Sequence, residues 1–299
     1  MNVMISLVGE QPAPNLLPTR HLKPDIAVLV CTDRTRRVAE NLKSLLKCRC
    51  ETCLVHPYSI HEIQEKLSSF LESRFPESSF IFNLTGGTKP MALAAFQLAK
   101  RYGSPSVYFQ TEGNRSLLYQ YAFEGAKFAL KAVEGLPTTI SLDDYLRMYL
   151  GTYTCGEPRN DFERQVVEVL RSTPEIDEVF TSLRPQGMEA LEVDFIVRCG
   201  NQVGIGEVKV KGKKDGIDQL NAVAEQRYLG TYVKKFLISG KPVHPNNKNL
   251  AKAYKIRIIE LLSFGETSEL NTDDKCKLID TVIRSLGGPR CSSSTSPTP

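Results

Sequence analysis

The sequence predicts an α/β chain in two domains, the first of them built on a parallel sheet. Three observations lead there. At 299 residues the chain is about twice the size of a common domain. Apolar residues make up 41% and charged residues 24%, with 20 Gly and 17 Pro, which excludes general disorder and a fibrous repeat. Short β-branched runs also alternate with helical spacing through the first half, an order that calls for parallel strands joined by crossover helices.

Val3 to Val8 and Ile26 to Cys31 are the first two strand-like runs, and Gly9 to Asn15 and Thr32 to Arg34 read as the polar turns after them. Arg36 to Leu46 has helical spacing, Cys53 to Tyr58 is strand-like, Ile60 to Leu71 is helical and Phe80 to Leu84 is a strand. Met91 to Arg101 follows as a crossover helix, Ser106 to Gln110 as a strand, and Leu117 to Phe123 with Phe128 to Val133 as a closing hairpin. This is a Rossmann-like order over residues 1–150, with sites expected at the carboxyl ends of the strands. Ser141 caps a short helix to Tyr149, and periodicity then lapses, so residues 151–159 read as a linker. From 160 to 285 the order becomes helix (Phe162 to Arg171), strand pair (Glu192 to Arg198 and Gln202 to Lys211), helix (Gly216 to Leu229) and strand (Lys235 to Ser239). Residues 286–299 end in Ser, Thr and Pro and read as a disordered tail.

The formal charge of +4 is too small for the whole molecule to coat nucleic acid, so any such site must be local. No apolar run approaches the ~20 residues of a membrane span and no leader pattern opens the chain, so a cytoplasmic protein with no membrane partner is expected. Its eight cysteines then read as reduced thiols. Cys48, Cys50 and Cys53 lie near His56 and His61 but do not complete a recognised zinc spacing.

Asn83-Leu84-Thr85-Gly86-Gly87-Thr88-Lys89-Pro90 joins a buried strand to a helix whose first turn accepts the proline. Two glycines let backbone approach a ligand, and the helix start offers free amides and the positive end of its dipole. Thr85 and Thr88 add hydroxyls and Lys89 a mobile cation, which suits phosphate or phosphodiester. The spacing is neither a Walker loop nor the dinucleotide fingerprint. A tight turn with no ligand is the bland alternative, and the polar ends of the other strands, Gln110 to Asn114 among them, weigh against it. Strand-Asn-x-Thr-Gly-Gly-Thr-Lys-helix resembles the CRISPR-associated Rossmann fold (CARF), over about residues 1–150. The resemblance implies a sensor of cyclic oligoadenylate, tetra- or hexa-adenylate, bound across a two-fold homodimer. It places the ligand loop at Thr85, Gly86, Gly87, Thr88 and Lys89, and Gln11, Asn15, Thr32 and Gln110 join it by their position at strand ends.

In the second half, Leu191 to Val197 and Val203 to Val210 flank a Gly200-Asn201 turn and should pair as an antiparallel hairpin. Asp194 then comes towards Glu207, and Lys209 shares the Glu207 face because side chains alternate along a strand. Two carboxylates and an ammonium suit a hard cation, Mn²⁺ or Mg²⁺, and phosphodiester hydrolysis. A surface salt bridge is the bland reading of Glu207-x-Lys209 alone. Glu163, on the preceding helix, is either a capping-box partner of Asn160 or a further acid and metal ligand of the site. Gln219 and Gln226, seven residues apart on the next helix, either touch substrate or line a solvated face.

This arrangement resembles the PD-(D/E)xK restriction-endonuclease-like fold, with Val193 where a Pro usually precedes the first Asp. Together the halves resemble CRISPR ancillary nucleases, in which the messenger switches on metal-dependent cleavage of DNA or RNA. Two other readings stay open: a regulator that only binds the messenger, and a ring nuclease that degrades it. Residues 231–257 hold Lys234, Lys235, Lys241, Lys248, Lys252, Lys255 and Arg257 with no Asp or Glu. With Lys211, Lys213 and Lys214 they are expected to form a basic surface beside the metal site that tracks phosphates with little base preference.

Overall fold

The computed structural model describes residues 1–113, 115–187, 192–210, 215–223, 229–230 and 233–287. Lys211, Lys213, Lys214 and Gln226 lie outside the described residues, as do residues 288–299 of the expected tail. The chain divides into two compact units, Met1–Gly151 and Thr152–Pro299.

The first unit runs β1 (Asn2–Leu7), α1 (Ala13–Leu22), β2 (Ile26–Cys31), α2 (Arg36–Leu45), β3 (Arg49–Leu54), α3 (Ile60–Arg74), β4 (Ser79–Asn83), α4 (Lys89–Arg101), β5 (Ser106–Glu112), β6 (Arg115–Glu124), β7 (Lys127–Gly135) and α5 (Leu142–Leu150). Its sheet has the order β3-β2-β1-β4-β5-β6-β7, parallel through β5 and antiparallel beyond. β2 is buried at every position and β1 at all but its first, as parallel strands covered on both faces must be. Val3, Ile5, Leu7, Val28 and Val30 pack with Ile63, Leu67 and Leu71 of α3 and Met91, Ala94 and Leu98 of α4.

Two expected elements differ here. Gly9 to Asn15 is not simply a turn, because α1 begins within it at Ala13. Pro12, Pro14 and Pro18 disguise the helix in the sequence. Pro18 has no amide to give the Pro14 carbonyl, and the Asn83 side chain supplies that hydrogen bond instead, at 2.8 Å. The third strand is Arg49–Leu54 and not Cys53 to Tyr58: it pairs with β2 from Ile26↔Arg49 to Cys31↔Leu54, and as an edge strand it carries polar residues.

The second unit runs β8 (Tyr153–Thr154), α6 (Asp161–Arg171), β9 (Glu178–Pro185), β10 (Val193–Cys199), β11 (Gln202–Lys209), α7 (Asp215–Val223), β12 (Lys234–Ser239), α8 (Pro245–Ala253), β13 (Ile256–Glu260), α9 (Leu262–Thr267) and α10 (Thr272–Leu286). Its sheet has the order β13-β12-β11-β10-β9-β8. The expected linker contributes to it: Tyr153↔Pro185 and Thr154↔Arg184 pair β8 with β9, and the Gly156 amide donates to Thr181. Leu286 is likewise no part of a tail, since it ends α10 and is buried in the core with Leu278 and Val282. Phe162, Val166 and Leu170 of α6 join that core from the stripe that the helical spacing predicts.

Gly206 is fixed by packing. A Cβ there would stand 2.0 Å from the Phe195 ring on the neighbouring strand. Gly206→Ala should cost about 1 to 3 kcal/mol of stability in urea unfolding, and a variant as stable as the parent would show that Phe195 is free to move.

Candidate functional site

The strand order of the first sheet reverses between β1 and β4, and a ligand crevice in such a sheet lies where the loops after these strands meet. Gly86 lets them meet. A Cβ on it would stand 2.0 Å from the Leu7 carbonyl oxygen at the end of β1. Gly87 then takes φ +70°, a backbone that favours glycine, and Thr88 caps α4 with its hydroxyl accepting from the Met91 amide at 3.3 Å.

Most of the polar side chains expected to face a ligand are already committed to building this loop. Asn83 is fully buried and its Oδ1 accepts from the Thr85 amide (3.1 Å) and hydroxyl (2.7 Å). The Thr85 oxygen in turn accepts the Phe109 amide at 2.7 Å, tying β4 to β5. The Thr88 hydroxyl donates to the Pro57 carbonyl at 2.5 Å. Asn15 is fully buried in α1, donating to the Leu7 carbonyl at 2.8 Å, and Thr32 is buried against Thr35, so these two support the crevice and do not line it. Gln11 accepts from the Tyr149 hydroxyl at 3.0 Å. Lys89, in the first turn of α4, and Gln110, on β5, are exposed. The Thr88 amide is already on the Met91 sulfur at 3.5 Å, so what the loop offers an anion is the Gly86-Gly87 backbone with Lys89 beside it.

In the second unit β10 and β11 pair from Cys199↔Gln202 to Phe195↔Gly206 and then part. β10 continues along β9 (Val193↔Leu183), and β11 along β12 (Glu207↔Leu237, Lys209↔Ser239). Asp194 and Glu207 are the first residues beyond the last pair. Asp194 Oδ2 accepts the Val208 amide at 2.7 Å, in place of the lost ladder bond. Glu207 is 1% exposed; its Oε1 accepts from Lys209 Nζ at 3.1 Å and its Oε2 has no partner. Burial, and then the neighbouring Asp194 charge, push the Glu207 carboxyl up to about 8 against the pull of Lys209.

Glu163 plays the role its capping position allows. Asn160 Oδ1 accepts the Glu163 amide at 3.0 Å, while the Glu163 carboxylate takes the Arg159 amide (2.8 Å) and Asn160 Nδ2 (2.6 Å). Burial and then the Asp194 charge raise its pKa, so it stands beside the cluster. Among the described residues no group of three or more His, Cys, Asp or Glu side chains gathers closely enough to hold a metal ion, and the Glu163 carboxylate is engaged here with Arg159 and Asn160. Asp194 and Glu207 still fit a hard cation. A buried carboxylate oxygen without a donor, next to a second carboxylate, matches a magnesium-type site that takes one or two carboxylates and keeps several waters.

Gln219 is tied to the backbone, its Nε2 donating to the Glu192 carbonyl at 3.0 Å. Two residues missing from the sequence reading belong here: Arg159, whose amide holds Glu163, and Glu192, whose carboxylate pairs with the Arg159 and Arg184 side chains. The basic stretch does not gather beside the acids. Lys234 and Lys235 pair with Gly204 and Ile205 at the opening of β12, three and two positions before Leu237 beside Glu207, or about 10 and 7 Å along a strand. Arg257 lies beside Phe236 and Lys255 just precedes β13, while Lys248 is paired with Glu260. Lys241 and Lys248 stand near the acids' end of the sheet among the described lysines of this stretch.

Residues 3–145 match the Card1 CARF domain. The matched span ends inside α5 and takes in the Gly86-Gly87 loop. Among solved structures, Can2 from Sulfobacillus thermosulfidooxidans in complex with cyclic tetra-adenylate is 17% identical, with 96% of this chain and 99% of that chain covered and a TM-score of 0.73. Protein VC1899 from Vibrio cholerae is 14% identical, with the same coverages and a TM-score of 0.74. A type III CRISPR defence DNA nuclease activated by cyclic oligoadenylate is 16% identical at a TM-score of 0.57, and this chain spans about half of its length (52%). At these identities the likeness is one of fold. No curated protein matches the chain. Among the described residues no helix is long and apolar enough to cross a membrane.

The Glu207 carboxyl sets a pH dependence. It holds its proton more tightly folded than unfolded, so its contribution to stability is complete below about pH 4.5 and is lost as the pH rises through about 8. Glu207→Gln keeps the shape without the charge. Its metal-free stability relative to the parent should therefore rise between pH 5 and pH 9, by about 1 to 3 kcal/mol in urea unfolding; a difference that is constant with pH would mean that Glu207 titrates as an ordinary carboxylate.

Proposed function

We propose that the chain is a cyclic-oligoadenylate-activated, metal-dependent nuclease of type III CRISPR defence, acting in the cytoplasm on DNA or RNA with little sequence preference. The observation that carries the reading is the meeting of Asp194, Glu207 and Lys209 where β10 and β11 part, in a chain whose first unit matches a CARF domain. The nearly full-length likeness in fold to Can2, solved with cyclic tetra-adenylate, supports the same pairing of a sensor (1–150) with an effector (160–285).

In the first unit, the Gly86-Gly87 backbone and Lys89 would take the messenger's phosphates, and a two-fold homodimer would bring two such loops to one cyclic ligand. In the second, Asp194 and Glu207 would hold Mn²⁺ or Mg²⁺. That ion supplies Lewis-acid polarisation of the phosphodiester and a more acidic water. Lys209, which donates to Glu207 here, would neutralise the charge that develops on the phosphate. The buried Asp194 keeps its place through the Val208 amide, so the site loses no order when Glu207 gives up its proton. A ring-nuclease reading is less well supported, because the Thr85 and Thr88 hydroxyls are both engaged in the loop.

With Mn²⁺ and cyclic tetra- or hexa-adenylate, cleavage of single-stranded RNA, single-stranded DNA or supercoiled plasmid is expected. Glu207→Ala and Lys209→Ala should each lower the rate by about a hundredfold or more. Undiminished cleavage in these variants would refute the mechanism, and equal cleavage without the messenger would refute the gating.

A further inference from the structure

Glu192 immediately precedes β10 and lies two residues before Asp194, about 6.6 Å away along an extended chain. Its two carboxylate oxygens hold two different arginines: Oε2 pairs with Arg159 and Oε1 with Arg184, at 3.2 Å. Arg159 precedes α6 and its amide holds Glu163; Arg184 comes from β9, next to Leu183, which pairs with Val193. Both guanidinium groups are about half exposed while Glu192 is 14% exposed, so the acid sits beneath and the cations reach outward. Glu192, Arg184, Thr154 and Gln186 line a cleft of ≈ 670 Å³. The Glu192 backbone is pinned by Gln219, so its carboxylate can leave the arginines without moving the strand.

A carboxylate whose two oxygens each take one guanidinium copies the way two arginines take the two non-bridging oxygens of a phosphodiester. We propose that Arg159 and Arg184 form the phosphate subsite next to the reaction centre, and that the Glu192 carboxylate fills it until a nucleic-acid phosphate displaces it. Asp194 and Glu207 hold the scissile phosphate's cation, and the arginine pair seats a neighbouring phosphate one short step away. Glu192 thereby sets a threshold: a lone anion must compete with it, whereas a polyanion anchored elsewhere on the groove displaces it readily. The subsite rests on the nuclease reading of the same site, and binding and cleavage separate the two.

Binding is read first, by fluorescence anisotropy of 5′-labelled single-stranded RNA, single-stranded DNA and duplex DNA in EDTA, so that no cutting occurs. Glu192→Gln should tighten binding about threefold to tenfold, and should steepen the fall of log K with log salt by about 0.7 to 0.9, one phosphate contact. Arg184→Gln and Arg159→Gln, the latter keeping the amide that holds Glu163, should weaken binding and flatten the slope by the same amount. Thermal melting of each variant checks that it is folded, and the arginine variants carry the test if Glu192→Gln is not. Cleavage is then measured with Mn²⁺ and cyclic tetra-adenylate, where KM should follow Kd. A parent protein that cuts while the variants match its affinity and salt slope overturns the subsite and leaves the nuclease standing. Shifted affinities in a protein that never cuts would support the subsite and overturn the nuclease. A parent that binds none of the three nucleic acids overturns the subsite as well.

Discussion

Two acids can sit side by side in the second sheet because its middle strands part after Phe195 and Gly206. Had the ladder continued, the Val208 amide would have been paired within it and Asp194 would have had no fixed partner. Once the strands diverge, that amide needs an acceptor, and the Asp194 side chain provides it. Glu207, on the strand that turns away towards β12, is left buried with one oxygen on Lys209 and the other on nothing. An uncompensated oxygen of this kind is costly in a site that has only a structural role. It makes sense where a cation and a substrate complete the site.

The first unit solves the opposite problem. Its crevice loop spends its side-chain hydroxyls and amides on its own framework: Asn83, Thr88 and Asn15 donate to main-chain carbonyls, and Thr85 donates to Asn83. The result is a backbone surface with preset geometry at the switch point of the sheet, ordered before any ligand arrives. The two units thus divide their chemistry. On the reading proposed here, one would present main-chain donors to an anion, and the other carboxylates to a cation.

How much of this was legible in the sequence depends on how local the signal is. Asp194, Glu207 and Lys209 were readable because a hairpin with a Gly200-Asn201 turn fixes register, and a period of two fixes the face. The loop from Asn83 to Pro90 was readable because glycine pairs and a capping threonine act within a few residues. α1 was hidden by three prolines, and the one inside it, Pro18, leaves the Pro14 carbonyl to a side chain 69 residues further on than Pro14. Arg159 and Glu192 were hidden for a related reason: each alone looks like a solvated charge, and only the folded sheet brings them together. The basic stretch misled because nearness in sequence is not nearness in space; a strand that runs one way and a helix that runs back carry its lysines to opposite ends of the sheet.

The proline within α1 has an inherited consequence. Because residue 18 brings no amide, the Pro14 carbonyl is left for Asn83, and because Asn83 takes it, the loop of the ligand crevice is fastened to that helix. Any other residue at 18 would introduce an amide hydrogen that competes for the same carbonyl, and an apolar residue at 83 would leave that carbonyl without its side-chain donor. The two positions therefore act as a single trait: descendants of this chain can change both together far more easily than either alone.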